Sequence, residues 1–274
     1  AATVLIWCIN RKVMTGLIYN EINKVEDTKV KTVSEYRFLE RYGEVGEYMR
    51  LELKMLLRNK RCKASLRSVA MLVIIFSIIL SFSSTYDHMK SFVLVYSFLG
   101  FGMVILIQLM GFEGNYIDGL MTRKESIKSL LTAKYYIYSL AEIIPLILLI
   151  PAFVMGKASL LGAVALIFLT TGPVYCILFQ LAVYNHKTVP LNESITGKQS
   201  MNTGMQMLIS FGLFIVPTTL YGTLPMLLGQ TWAYIVILII GLGFTLTSPM
   251  WINNVYVRFM QRRYENMEGF RDSK

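Results

Sequence analysis

Long apolar runs recur along this chain, each about the ~20 residues that an α-helix needs to cross the hydrocarbon core of a bilayer. They are Leu66–Ser84, Phe92–Met110, Tyr135–Met155, Leu160–Val183, Met205–Leu224 and Trp232–Ile252. Charge is nearly absent from them, with Arg67 at the start of the first and Glu142 inside the third. In hydrocarbon a backbone N–H or C=O must be satisfied within its own segment, so such runs fold as helices. The composition agrees: 54% hydrophobic and 16% charged residues lie outside the range of soluble globular domains.

The largest polar interruption is Gly111 to Lys134, GFEGNYIDGLMTRKESIKSLLTAK. It carries Arg123, Lys124, Lys128 and Lys134, and basic residues mark the cytoplasmic side because they resist translocation. Of the 27 Lys and Arg, only Lys90 and Lys157 then fall in loops assigned to the outside. Both ends of the six-span unit, residues 64–256, are expected in the cytoplasm, with the basic tail 257–274 as a last anchor. Trp232 and Trp251 fall near opposite ends of the sixth span, as interfacial aromatics do. A net charge of +10 raises nucleic acid as a partner, but the cations sit between apolar spans and not on one folded face, so membrane lipid is the partner they suit.

Ahead of the spans, Phe38, Leu39, Tyr42, Val45, Met49, Leu53, Leu56 and Leu57 recur at three- and four-residue spacing. That pattern predicts an amphipathic helix over residues 36–63, suited to the membrane interface. Residues 1–20 read as the tail of an earlier span, and 21–35 as a solvated linker. LIWCINRKVMTGLIYNEI near the start and PMWINNVYVRFMQRRYEN near the end echo each other, which hints at two related halves. The expected fold is all-α: a polytopic membrane protein with six transmembrane helices, an N-terminal interfacial helix and a short cytoplasmic helix between the second and third spans.

Enzymatic motifs are missing. Gly156-Lys157 and Gly197-Lys198 lack the glycine five residues earlier, where Pro151 and Asn192 stand, so no phosphate-binding loop is present. His88 and His186 fall in loops on opposite sides, and Cys8, Cys62 and Cys176 share no spacing, so neither a metal centre nor a disulfide framework is expected. No nucleophile, base and orienter set is visible. Glu142 is the one acid inside a span; it is expected to snorkel or to pair with Lys134 or Lys128, with a proton- or ion-carrying role as the rival. Gln108 and Gln180 are the other candidates along a transport path, although such residues more often bond between helices. Pro145, Pro151, Pro173 and Pro217 mark where spans should kink.

The 111–134 hairpin alternates apolar Phe112, Tyr116, Ile117, Leu120 and Met121 with charged Glu113, Asp118, Arg123, Lys124 and Glu125. A short helix offering aromatic knobs and mixed charge reads as a docking element more than as a connector.

An interfacial helix, six spans and a helical hairpin after the second resemble the permease subunit of type-2 ABC exporters. More narrowly, EYRFLERYGEVGEYMRLELKMLLRNKR and FEGNYIDGLMTRKESIKSLLTAKYY are similar to an uncharacterised bacterial family of permease-like proteins related to them. The resemblance runs from about Glu35 to the end, and it implies a bacterial inner-membrane protein that hydrolyses no ATP itself. It further implies that the hairpin is a coupling helix, with Phe112, Glu113, Tyr116, Asp118, Arg123 and Lys124 touching a separate ATPase that binds ATP and Mg. A first six-span half of the same polypeptide, or a second permease subunit, would complete the pore. The rival is a secondary transporter or lipid scramblase that works through Glu142 without an ATPase.

Overall fold

The computed structural model describes residues 36–82, 89–122, 124–185, 187–189 and 204–273. The span tail and linker expected at 1–35, the turn with Asp87 and His88, Arg123, His186 and the loop beyond residue 189 lie outside the described residues. Among the described residues every regular element is helical.

After a 3-10 turn, Arg37–Tyr42, come α1 (Gly43–Arg58), α2 (Lys60–Phe82) and α3 (Lys90–Leu106). A second 3-10 turn, Glu113–Tyr116, and the short α4 (Ile117–Met121) form the hairpin. Next follow α5 (Lys124–Ala141), α6 (Ile143–Leu148), α7 (Ile150–Val154) and α8 (Leu160–Leu169). A π-helical turn, Thr170–Val174, joins α8 to α9 (Tyr175–Tyr184). The chain ends with α10 (Gly204–Leu228), α11 (Gln230–Leu246), α12 (Ser248–Gln261) and α13 (Arg263–Asp272).

Among the described residues, four helical stretches are long and apolar enough to cross a membrane: Lys60–Phe82, Ile127–Leu148, Leu160–Tyr184 and Met207–Leu228. A fifth crossing results if α11 and α12, bent by 53° relative to each other, count as one. The helix α3 is apolar but only 17 residues long. The six expected spans therefore divide into four long stretches, one short helix and one bent pair. Pro249 accounts for the bend, because it has no N–H to continue the ladder from α11. The apolar helix α3, expected to be the second span, ends early because the N–H groups of Gln108 and Leu109 bond only three residues back, to Ile105 and Leu106. That tighter winding turns the chain into the hairpin.

Three other boundaries move. Residues 36–63 do not form one helix: α1 stops at Asn59, whose backbone is extended (φ −69°, ψ 124°). The Asn59 Oδ1 then accepts from the N–H groups of Arg61 and Cys62 at 2.8 and 3.3 Å and caps the first span. The polar hairpin does not run to Lys134, because Ile127, Leu130 and Leu131 bury one face of α5 and carry the helix from Lys124 into the third span. That span is interrupted at Glu142 and Leu149, since Pro145 and Pro151 cannot donate to carbonyls four residues back. In the next span Pro173 is accommodated by the wider π turn.

Among the described residues the most extensive helix pairing is α8 with α11, and α10 lies against α3 and α11. Gly241 permits it: a Cβ there would come within 2.5 Å of the Phe168 backbone, and one on Gly172 of the adjoining π turn would meet the Gly241 carbonyl oxygen at 2.6 Å. Small residues at a crossing let backbones of membrane helices approach. On the other side α1 packs along α5, and α12 fits between α5 and α9. There Tyr135, Phe179 and Trp251 pack edge to face, so Trp251 serves a contact between helices.

Candidate functional site

The base of the hairpin is built on three residues from three elements. Lys134 lies on the inner face of α5, in a stripe with Ile127, Leu130, Leu131 and Tyr138, all buried. Glu52 lies on the inner face of α1, between Met49 and Leu56. The Lys134 ammonium donates to both Glu52 carboxylate oxygens, at 2.9 and 2.8 Å, and the Tyr138 hydroxyl donates to Glu52 Oε1 at 2.7 Å. Glu113, opening the 3-10 turn, brings its Oε1 to 2.7 Å from Lys134 Nζ, with both side chains 1% exposed.

Two carboxylates thus share one ammonium in a site closed to solvent. Burial pushes the Glu113 carboxyl above its ordinary range, Lys134 pulls it back, and the second carboxylate, Glu52, pushes it up again. Removing one partner of such a cluster is costly because an uncompensated charge is left behind. The arrangement couples the hairpin to α1 and α5 at once.

Other contacts seat the hairpin from the opposite side. The Val189 N–H donates to the Gly111 carbonyl at 2.8 Å, and the Asn115 amide donates to the carbonyls of Val189 and Phe112, each at 3.0 Å. Phe270 of α13 is fully buried and lies against Gly114, where a Cβ would come within 2.7 Å of its ring. Arg271 pairs with Asp118 at 2.9 Å, and Thr188 bonds to Ser273 through both its N–H and its hydroxyl. The hairpin, the loop after α9 and the C-terminal helix therefore share one end of the bundle.

Of the six residues expected to dock, Phe112 and Glu113 point inward, at 4% and 1% exposed. They anchor the hairpin and offer no surface. Tyr116, 50% exposed, and Asp118, 47% exposed at its side chain, do face outward. Arg123 and the Lys124 side chain lie outside the described residues. Sequence reasoning missed Glu52 and took Lys134 as a loop cation and a possible partner of Glu142, not as the partner of Glu52 and Glu113. The available signal was a charge of each sign standing on an otherwise apolar stripe.

The transport-path candidates are not brought together. Glu142 is fully buried; its Oε1 accepts from the Tyr175 hydroxyl at 2.5 Å, and its Oε2 has no hydrogen-bond partner. The expected pairing with Lys134 does not form, because Lys134 lies two turns away and is already held by Glu52 and Glu113. Nor does Glu142 snorkel. Gln180 Oε1 accepts from Arg258 at 3.4 Å, a bond between α9 and α12, and Gln108 is half-buried where α3 ends. An apolar cleft of about 370 Å3 between Pro173, Ile177, Leu213 and Pro217 is lined by none of the three.

Among the described residues no group of His, Cys, Asp and Glu is arranged to hold a metal. A model of one protein family matches residues 1–273. The chain belongs to DUF5687, a family of unknown function. No curated protein and no solved structure matches it. The DUF5687 match covers α1, the hairpin and α13 alike, so the charge cluster and its seating lie within the family's extent.

Proposed function

We propose that the chain is the membrane-spanning permease component of an ATP-driven exporter of the type-2 ABC kind, moved by a separate ATPase that docks on the hairpin within residues 111–134. ATP and Mg bind in that partner and not in this chain. The observation that carries the reading is the two-sided character of the hairpin: its inner side is locked to α1 and α5 through Glu113, Lys134 and Glu52, while Tyr116 and Asp118 are presented outward. A short element fixed inside and polar outside suits the transmission of force from a docked protein.

In this reading α3 and the bent α11–α12 pair also cross, giving six spans with both ends in the cytoplasm of a bacterial cell. At 1.5 Å per residue α3 reaches about 26 Å, near the lower limit for a span. A second six-span half, in the same polypeptide or another subunit, completes the pore. A partner that favours one of two permease arrangements draws Glu113 through Tyr116 with it, and Lys134 and Glu52 follow. Lys134, Tyr138 and Glu142 recur every four residues, so the displacement enters the bundle along one face of the third span.

The test is ATP-driven transport in proteoliposomes containing the ATPase. Asp118→Lys should uncouple hydrolysis from transport while insertion is normal, and unchanged transport would refute the docking role. Glu113→Lys is the poorer variant, because it sets a second cation beside buried Lys134.

A second reading is supported by Glu142, whose buried Oε2 lacks a hydrogen-bond partner. Here the chain is a secondary transporter or scramblase. Activity in liposomes without any ATPase, lost in Glu142→Gln, would establish it, and inactivity of the purified chain would rule it out.

A further inference from the structure

Docking on the hairpin alone leaves α13 without a task, yet α13 is fixed to the hairpin by Phe270 against Gly114 and by the Arg271–Asp118 pair, and to the loop after α9 by Ser273 on Thr188. Tyr264, Glu268 and Arg271 recur at i, i+4 and i+7, opposite the buried Asn266 and Phe270, and so form one outward stripe. Tyr264 is 70% exposed; the Arg263 guanidinium lies over its ring, 4.5 Å from the centroid, and donates to its hydroxyl. Two exposed tyrosines, Tyr116 and Tyr264, thus belong to elements joined by the Asp118–Arg271 ion pair.

We propose that the soluble partner docks on a composite face formed by the hairpin and α13 together, with Tyr116, Tyr264 and the Asp118–Arg271 pair as its contacts. The proposal rests on the reading of the hairpin as a docking element and extends it to the C-terminal helix. Exposed tyrosines and arginines are the residues that dominate protein–protein contacts. The tail 257–273 is basic in count but not polybasic on its surface. Arg258 bonds Gln180, Arg262 pairs with Glu265 at 2.7 Å, and on α13 Arg263 and Arg271 stand against Glu265, Glu268 and Asp272. A surface that binds anionic lipid or nucleic acid is instead polybasic. The occupant is therefore a protein with mixed charge, and on the function proposed above it is the ATPase.

The experiment places a photo-crosslinking phenylalanine analogue at Tyr116, at Tyr264 or, as a control, at Met226, in the full chain in native membranes. All three residues are exposed, so the substitutions spare the core. The crosslinked product is then probed with a photoreactive ATP analogue. The expected result is one nucleotide-labelled product, of the same size, from Tyr116 and Tyr264 and none from Met226. A product from Tyr116 without one from Tyr264, or a Tyr264 product that contains only lipid, overturns the composite face and leaves hairpin docking intact. No nucleotide-labelled product from either tyrosine overturns both.

Discussion

The Lys134 ammonium lies 2.7 Å from the Glu113 carboxylate, with both side chains 1% exposed. Because Glu52 holds the same ammonium from the opposite element, the cluster carries one more carboxylate than cation. That imbalance sets the order of the mutational effects. Lys134→Ala leaves two buried carboxylates facing each other and should cost about 3–5 kcal/mol. Glu113→Gln removes only the excess negative charge and should change stability far less. Thermal melts of the two variants in detergent should show a large fall for the first and a small shift for the second.

The pH dependence follows from the direction of the Glu113 shift. Its folded-state carboxyl binds its proton more tightly than the unfolded one, whose ordinary value is 4.5. As pH rises through that value and above it, the unfolded state loses this proton first, so the native state binds more protons and stability falls with pH. Acidification through the same window should therefore raise this group's contribution, and Glu113→Gln should remove that part of the slope. Melts across mildly acidic pH, compared between wild type and variant, measure it.

Two glycines of the hairpin should behave oppositely. A Cβ on Gly114 would lie 2.5 Å from Thr188 Cγ2 and 2.7 Å from the Phe270 ring, whereas one on Gly119 would meet nothing within 4 Å. Gly114→Ala should loosen α13 at a cost of about 1–3 kcal/mol, seen as faster proteolysis of the C-terminal helix. Gly119→Ala, in an open helical position, should be neutral or stabilise by up to about 1 kcal/mol.

Tyr175 supplies the hydrogen bond that Glu142 accepts in the bundle interior. Tyr175→Phe should destabilise the fold by about 1–3 kcal/mol, because it leaves a buried polar group unpaired. The double variant Tyr175→Phe, Glu142→Leu should recover much of that loss. A thermal-melt cycle over the two positions measures the coupling.

Much of the architecture is legible in the sequence because hydrocarbon forces regular helices: the apolar runs, the amphipathic α1, the polar break before α4 and the interruptions near Pro145 and Pro173 all follow from local pattern. The charge cluster is less legible. Glu52 and Lys134 are 82 residues apart, and each looks like an ordinary interfacial charge until the α1–α5 packing turns both inward. Phe112 and Glu113 read as surface residues for a related reason. In a 3-10 turn as short as Glu113–Tyr116, periodicity does not say which side faces the protein. Local spacing points Glu142 towards a nearby lysine, but tertiary packing supplies Tyr175 from the following span.

Coupling to an ATPase requires that the hairpin reach the cytosol and be covered there by that partner. Gly119→Cys, in a chain whose Cys8, Cys62 and Cys176 are replaced by serine, tests both points with a membrane-impermeant thiol reagent. The expected result is no labelling in intact cells, labelling in inside-out vesicles stripped of peripheral proteins, and protection when the ATPase is added back. Labelling from outside the cell, or equal labelling with and without the ATPase, would contradict the docking of a motor on this hairpin.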